Sequence, residues 1–109
     1  DCDDTHLEVN FLKAEFAVDI IKKKLKVIRS RGTTPIARSL EEGAKDFPSG
    51  DARNIVILIT DGKEECRMDP CAVSRLYQRK GIILKPFVIG VGLDESWKKS
   101  FDCVGRFFD

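Results

Sequence analysis

Asp61 is the side chain in this sequence best placed for chemistry. It closes the segment NIVILITDG (54–62), where five consecutive aliphatic residues, Ile55 to Ile59, give way to Thr60, Asp61 and Gly62. An unbroken Ile/Val run is what a strand needs when helices cover both faces of its sheet, so the segment reads as a central parallel strand with Asp61 at its carboxyl end. Ligands of open parallel sheets collect along that edge, and a carboxylate carried there on a rigid strand can hold a hard cation through oxygen. The competing reading makes Asp61 a turn residue ahead of Gly62; its place directly after an enclosed strand favours a site. Glu64 and Glu65 follow close behind and would stand at the rim of such a site, a position that a solvated turn explains equally well.

Thr34 is the second candidate. With Pro35 after it, it has the chemistry of a helix N-cap followed by a first helical residue, and a hydroxyl in that position can cap the helix and contact a metal at once. Thr33 is a weaker substitute. Four cysteines (Cys2, Cys66, Cys71, Cys103) are many for a cytosolic protein of 109 residues and few for a disulfide scaffold, which suggests an oxidising compartment. Cys66 and Cys71 flank a turn, and a bridge between them would pin the loop beside Asp61. A zinc or redox role would want a second pair at ligand spacing or a C-x-x-C, and the sequence has neither. His6, the one histidine, has no serine or cysteine partner and reads as a surface residue.

These residues need a frame, and the sequence supplies one by alternation. Leu7, Val9 and Phe11 alternate with Glu8 and Asn10, the period of a half-exposed edge strand. Val18, Ile21, Leu25 and Ile28 form an apolar stripe that predicts a helix over 16–29, with Lys22, Lys23, Lys24, Lys26, Arg29 and Arg31 read as a solvated outer face. Ile36, Leu40, Ala44 and Phe47 predict a second helix from Thr34, and Asp69-Pro70 opens a third that stops at Gly81. Ile82 to Val91 is the next strand. Pro86 within it predicts regular pairing mainly from Phe87 onward. A last helix from Asp94, carrying Trp97, Phe101 and Val104, and a short strand over 106–108 complete the series. Strands separated by helices imply right-handed crossovers and a mostly parallel sheet in a three-layer α/β sandwich.

Composition bounds the rest. The length allows one compact domain, and 42% hydrophobic with 34% charged residues is ordinary for a globular chain. A net charge of +1 gives no field to recruit nucleic acid or an anionic membrane, and no apolar segment is long enough to span a bilayer. The chain opens on the polar DCDDTHLE, so any export sequence is expected to have been removed or to lie upstream.

The segment Gly32-Thr33-Thr34-Pro35-Ile36 opening a helix, the strand ending I-T-D-G at Asp61, and the later strand ending V-I-G-V-G resemble, in order and spacing, the von Willebrand factor type A domain. The likeness is closest to bacterial members with G-x-T-P-I, T-D-G-x-E-x-C (60–66) and D-P-C-A-V (69–73) segments. It implies a mostly parallel, Rossmann-like sheet with an antiparallel edge strand. It also implies a metal-ion-dependent adhesion site, in which Mg2+ (or Mn2+ or Ca2+) is held by a D-x-S-x-S loop, a threonine and an aspartate. By position these last two are Thr34 and Asp61. The D-x-S-x-S loop is absent, and the family's first strand, first helix and second strand have no counterpart. Residues 1–109 are therefore expected to form a single partial domain, truncated at the amino end, with cation binding weak or absent in this chain alone. The edge and apolar faces of the NIVILIT strand are expected to lie exposed unless a longer natural protein or another chain covers them. The family's topology also puts Cys2 and Cys103 on opposite sides of the sheet, so those two are not expected to pair.

The expected function is a non-enzymatic adhesion or scaffold module, periplasmic, secreted or at the cell surface. Its partner would be a protein presenting an acidic side chain to the cation, with self-association through the open sheet edge and neither nucleic acid nor membrane insertion. The alternative is a magnesium-dependent hydrolase or phosphoryl-transfer enzyme of α/β fold. That reading lacks a nucleophile elbow, a phosphate-cradling glycine loop and an acid/base pair.

Overall fold

A computed structural model describes residues 1–29, 31–47, 52–60, 64–88 and 103–104, with backbone alone for 85–88. The element order is α1 (Ala14–Val27), α2 (Ile36–Ala44), β1 (Ile55–Thr60), α3 (Pro70–Lys80) and β2 (Ile83–Val88). This is an α/β arrangement with a small parallel sheet. Among the described residues the sheet has two strands, paired in register from Ile55 opposite Ile83 to Thr60 opposite Val88. The expected last helix from Asp94, the strand over 106–108 and the end of the second strand at 89–91 lie outside the described residues.

The core is built where three apolar patterns meet. Ile36, Ala37, Leu40 and Ala44 repeat at helical spacing and are all buried on one side of α2. Val73 and Tyr77, one turn apart on α3, meet them together with Ile82 and Val104. The strand contributes only alternate residues: Val56 and Leu58 pack against this cluster, whereas Ile55, Ile57 and Ile59 point away. Ile59 is 61% exposed. Among the described residues, the strand expected from five consecutive aliphatics to be enclosed is thus covered on one face only, because α2 and α3 both pack on the same side. α1 carries no buried residue, and its stripe of Val18, Ile21 and Leu25 is uncovered.

α3 follows its sequence signals closely. The Asp69 carboxylate accepts from the Cys71 N–H at 2.9 Å, Pro70 sits in the first turn, and Gly81 takes φ +69° at the carboxyl end. There the Gly81 N–H donates to Gln78 O and the Ile82 N–H to Tyr77 O, closing a Schellman motif that aims the chain directly into β2.

Two expectations are corrected. The segment from Leu7 to Phe11 forms no strand: it has no ladder beside it and lies over α2 instead, with the Phe11 ring 5.4 Å from Phe47. Pairing of the second strand begins at Ile83 and includes Pro86 opposite Leu58, so it does not wait for Phe87. A proline needs only that its missing N–H face away from the partner strand, and β2 has just one partner among the described residues.

Tyr77 locks α3 to α2. Its hydroxyl, buried with 1% of the residue exposed, donates to the Leu40 carbonyl at 2.5 Å. Burial pushes the phenol up to about 12 from its ordinary 10, with the Asp46 carboxylate adding to the effect. The folded state therefore holds this proton more tightly than the unfolded chain, so the associated stability is complete below pH 10 and is lost as pH rises toward 12. Replacing Tyr77 by Phe is expected to cost about 1–2 kcal/mol near neutrality, the worth of a buried hydrogen bond. Urea unfolding across the alkaline range should show the wild type losing more stability with pH than Tyr77→Phe; parallel profiles would refute this assignment.

Candidate functional site

The parallel pairing sends the carboxyl ends of β1 and β2 to one edge, and the loop leaving β1 must cross that edge to reach α3. There it meets the amino end of α2. The Thr34 N–H donates to Glu65 Oε2 at 2.6 Å, and the Glu65 N–H donates back to the Thr34 carbonyl at 3.1 Å. One residue earlier, Glu64 Oε2 accepts from the Ala37 N–H at 2.8 Å while Oε1 accepts from Cys66 N–H at 3.2 Å. Two consecutive glutamates thus clamp the loop after β1 onto the turn before α2.

The reason lies in α2 itself. Its first turn, Ile36-Ala37-Arg38, carries no acidic residue, and Pro35 occupies the N-cap position with no side-chain hydrogen bond to offer. A helix start exposes unpaired N–H groups and the positive end of the macrodipole. Glu64 supplies the missing carboxylate from 27 residues away in sequence. The expectation that Thr34 caps this helix is corrected accordingly: the helix begins one residue later, and the capping carboxylate is Glu64. Glu64 and Glu65 each spend carboxylate oxygens on backbone N–H groups.

The turn is further held by covalent chemistry. Cys2 and Cys66 form a disulfide with a Cα–Cα separation of 5.7 Å, and Thr33 Oγ1 lies 3.8 Å from Cys2 Sγ and 3.9 Å from Cys66 Sγ. Gly32 adopts φ +83°, a left-handed backbone conformation that selects glycine. A second disulfide joins Cys71 to Cys103, with Cα atoms 5.4 Å apart. The expected Cys66–Cys71 bridge is not formed. Asp69 and Pro70 begin α3 between the two cysteines and turn Cys71 toward Cys103, while Cys66 faces the Gly32–Thr34 turn. Cys2 and Cys103 do not pair with each other.

Of the site residues expected from the sequence, the structure brings Thr33, Thr34, Glu64 and Glu65 together; Asp61 and Gly62 lie outside the described residues. Among the described residues no group of three or more His, Cys, Asp or Glu side chains is arranged to hold a metal ion. Sequence reasoning missed the clamp. Its one available signal was the lack of any acidic residue in the first turn of α2, which leaves the helix start to be satisfied from elsewhere.

No family model matches the sequence, and no solved structure matches it. Two proteins of Bacillus subtilis strain 168 are similar to it. The uncharacterized protein YwmD is 34% identical over 77 residues, which cover 69% of this chain and 34% of that protein. The uncharacterized protein YwmC is 32% identical over 84 residues, covering 75% and 36%. The chain therefore spans about a third of the length of these relatives. Two disulfides point to an oxidising, extracytoplasmic setting. Among the described residues no helix is long and apolar enough to cross a membrane.

Glu64→Ala is expected to lower stability by about 1–2 kcal/mol, the range for losing a carboxylate cap at a helix start. Glu65→Ala, which removes a more exposed contact, should cost roughly half as much. Equal and negligible effects of both in urea unfolding would show that the clamp contributes nothing.

Proposed function

We propose that the chain is a non-enzymatic, protein-binding module whose contact surface is the edge formed by the Gly32–Pro35 turn and the loop leaving β1. The observation that supports this best is the two-way hydrogen bonding between Thr34 and Glu65, which draws together the two segments that the resemblance to von Willebrand factor type A domains assigns to one adhesion site. The same reading extends the small parallel sheet to a three-layer sandwich of that family, with residues 1–109 as part of one domain. It sets the protein in the periplasm, in secretion or at the cell surface, consistent with its cross-links.

A divalent cation, Mg2+ with Mn2+ or Ca2+ as substitutes, belongs to this reading through Asp61 and Thr34. The fit of the described residues is incomplete. A magnesium ion wants about six oxygens in octahedral array, and the carboxylates nearest Thr34, those of Glu64 and Glu65, are committed to the N–H groups of Ala37, Cys66 and Thr34. What this chain does without any ion is hold a stiff, covalently braced turn at the edge, a surface that can meet a partner at little further cost in ordering. The acidic partner side chain and self-association through the open strand edge remain parts of the proposal.

Isothermal titration with Mg2+ and Mn2+ tests the ion, on this chain and on a version extended at its amino end. The reading expects binding by the extended chain that Asp61→Ala abolishes and that is weak or unmeasurable in the 109 residues. Binding unaffected by Asp61→Ala removes Asp61 from the site, and turnover of a phosphoester without added protein would favour an enzyme instead.

A further inference from the structure

α2 and α3 balance their charges differently. On α2, Arg38 pairs with Glu41 at 3.2 Å and with Glu42 at 3.1 Å, and Lys45 pairs with Glu42 at 2.9 Å, so that helix neutralises its own cations. α3 has nothing with which to do the same. No aspartate or glutamate occurs in residues 70–93, whereas Arg75, Arg79 and Lys80 all fall on the helix. Among the described residues no salt bridge reaches any of these three. The whole chain carries only +1, so the excess is local. Arg79 and Lys80 lie in the last turn, where the negative end of the macrodipole accounts for them. Arg75, in mid-helix, has no such account.

The geometry gathers these charges on one face. Val73, Ser74 and Tyr77 are the side that α3 turns to the core. At about 100° per residue, Arg75 and Arg79 stand on the opposite side, one turn and roughly 6 Å apart. With Gln78 they line a shallow, open depression of about 410 Å³, and all three are exposed. This face points away from α2 and from the sheet. Further chain laid over the open side of β1, where Ile57 and Ile59 are exposed, would lie across the sheet from α3 and leave the arginines uncovered.

The side chains present define the partner. Two guanidinium forks one turn apart suit carboxylates, which each can grip bidentately, and the Gln78 amide both donates and accepts, as contact with a peptide backbone requires. An anionic membrane is served less well. None of the large exposed apolar side chains lies on α3, so this face has nothing to bury among acyl chains.

We propose that the Arg75–Gln78–Arg79 face of α3 is a second docking surface, which binds an acidic segment of a partner protein without any metal ion. It goes beyond the contact edge at the Gly32–Pro35 turn, and neither surface requires the other.

A glutamate decapeptide is the probe, with a Gly-Ser peptide of equal length as control. Titrated into the 15N-labelled chain at low salt, it should shift the amide and arginine Nε–H signals of 75–79 and leave those of 32–36 in place. Arg75→Gln with Arg79→Gln should weaken binding about tenfold while urea stability is unchanged, and about 0.5 M NaCl should weaken the wild type likewise. Arg75→Glu with Arg79→Glu should lose the glutamate peptide and take up a lysine decapeptide. EDTA and Asp61→Ala should alter none of this, so failure of the ion site and failure of this surface are read separately. Four results would each overturn the proposal: equal binding by the glutamine variant, shifts confined to other segments, capture by phosphatidylglycerol vesicles but not by the peptide, or loss of the response in a chain extended at its amino end.

Discussion

The short helix α2 cannot satisfy its own beginning, and much of the described structure follows from how that deficit is met. Nine residues form too short a helix to stand alone in water, and this one starts on a proline with no acid in its first turn. The remedy is a carboxylate carried by the loop that leaves β1. Because Glu64 must reach Ala37, the end of the strand and the start of the helix have to share one edge of the molecule. Glu65 and the Cys2–Cys66 bridge then make the junction a braced turn.

Beneath that edge the core is one-sided. α2 and α3 close over Val56 and Leu58, Tyr77 ties the two helices through the Leu40 carbonyl, and the Schellman turn at Gly81 feeds α3 straight into β2. On the opposite face Ile55, Ile57 and Ile59 lie open, as does the apolar stripe of α1. Contiguous exposed apolar surface of this kind is uncommon on globular monomers. The matched residues cover about a third of the length of the relatives.

Local structure was legible in the sequence, long-range structure much less so. The Asp69-Pro70 start and the Gly81 stop each act within a turn and forecast α3 to the residue, whereas the stripe of Ile36, Leu40, Ala44 and Phe47 forecast α2 but ran three residues past its end at Ala44. The Ile run identified β1 but overstated its enclosure, since an aliphatic run records what a strand can bury rather than what packs on it. Pro86 was read as a barrier although a strand with a single neighbour can accommodate it. For Leu7 to Phe11, a period of two was mistaken for a strand because alternation cannot reveal whether a ladder is available. Cysteine pairing failed for a related reason: Cys66 and Cys71 are near in sequence, but the start of α3 lies between them and sends them to different partners. Thr33, Thr34, Glu64 and Glu65 do lie near one another, and the hydrogen bonds of the two glutamates to backbone N–H groups across the junction are a long-range feature that no local pattern announces.

Amide hydrogen exchange at Thr34, Glu65 and Ala37, resolved residue by residue by NMR, is the most direct measure of whether this junction is built as described. The account predicts protection at all three comparable to the interior of α2, since each N–H is bonded across the junction. Exchange at the rate of an open loop would mean that the turn and the loop are not joined, and the shared edge on which the binding proposal stands would be gone.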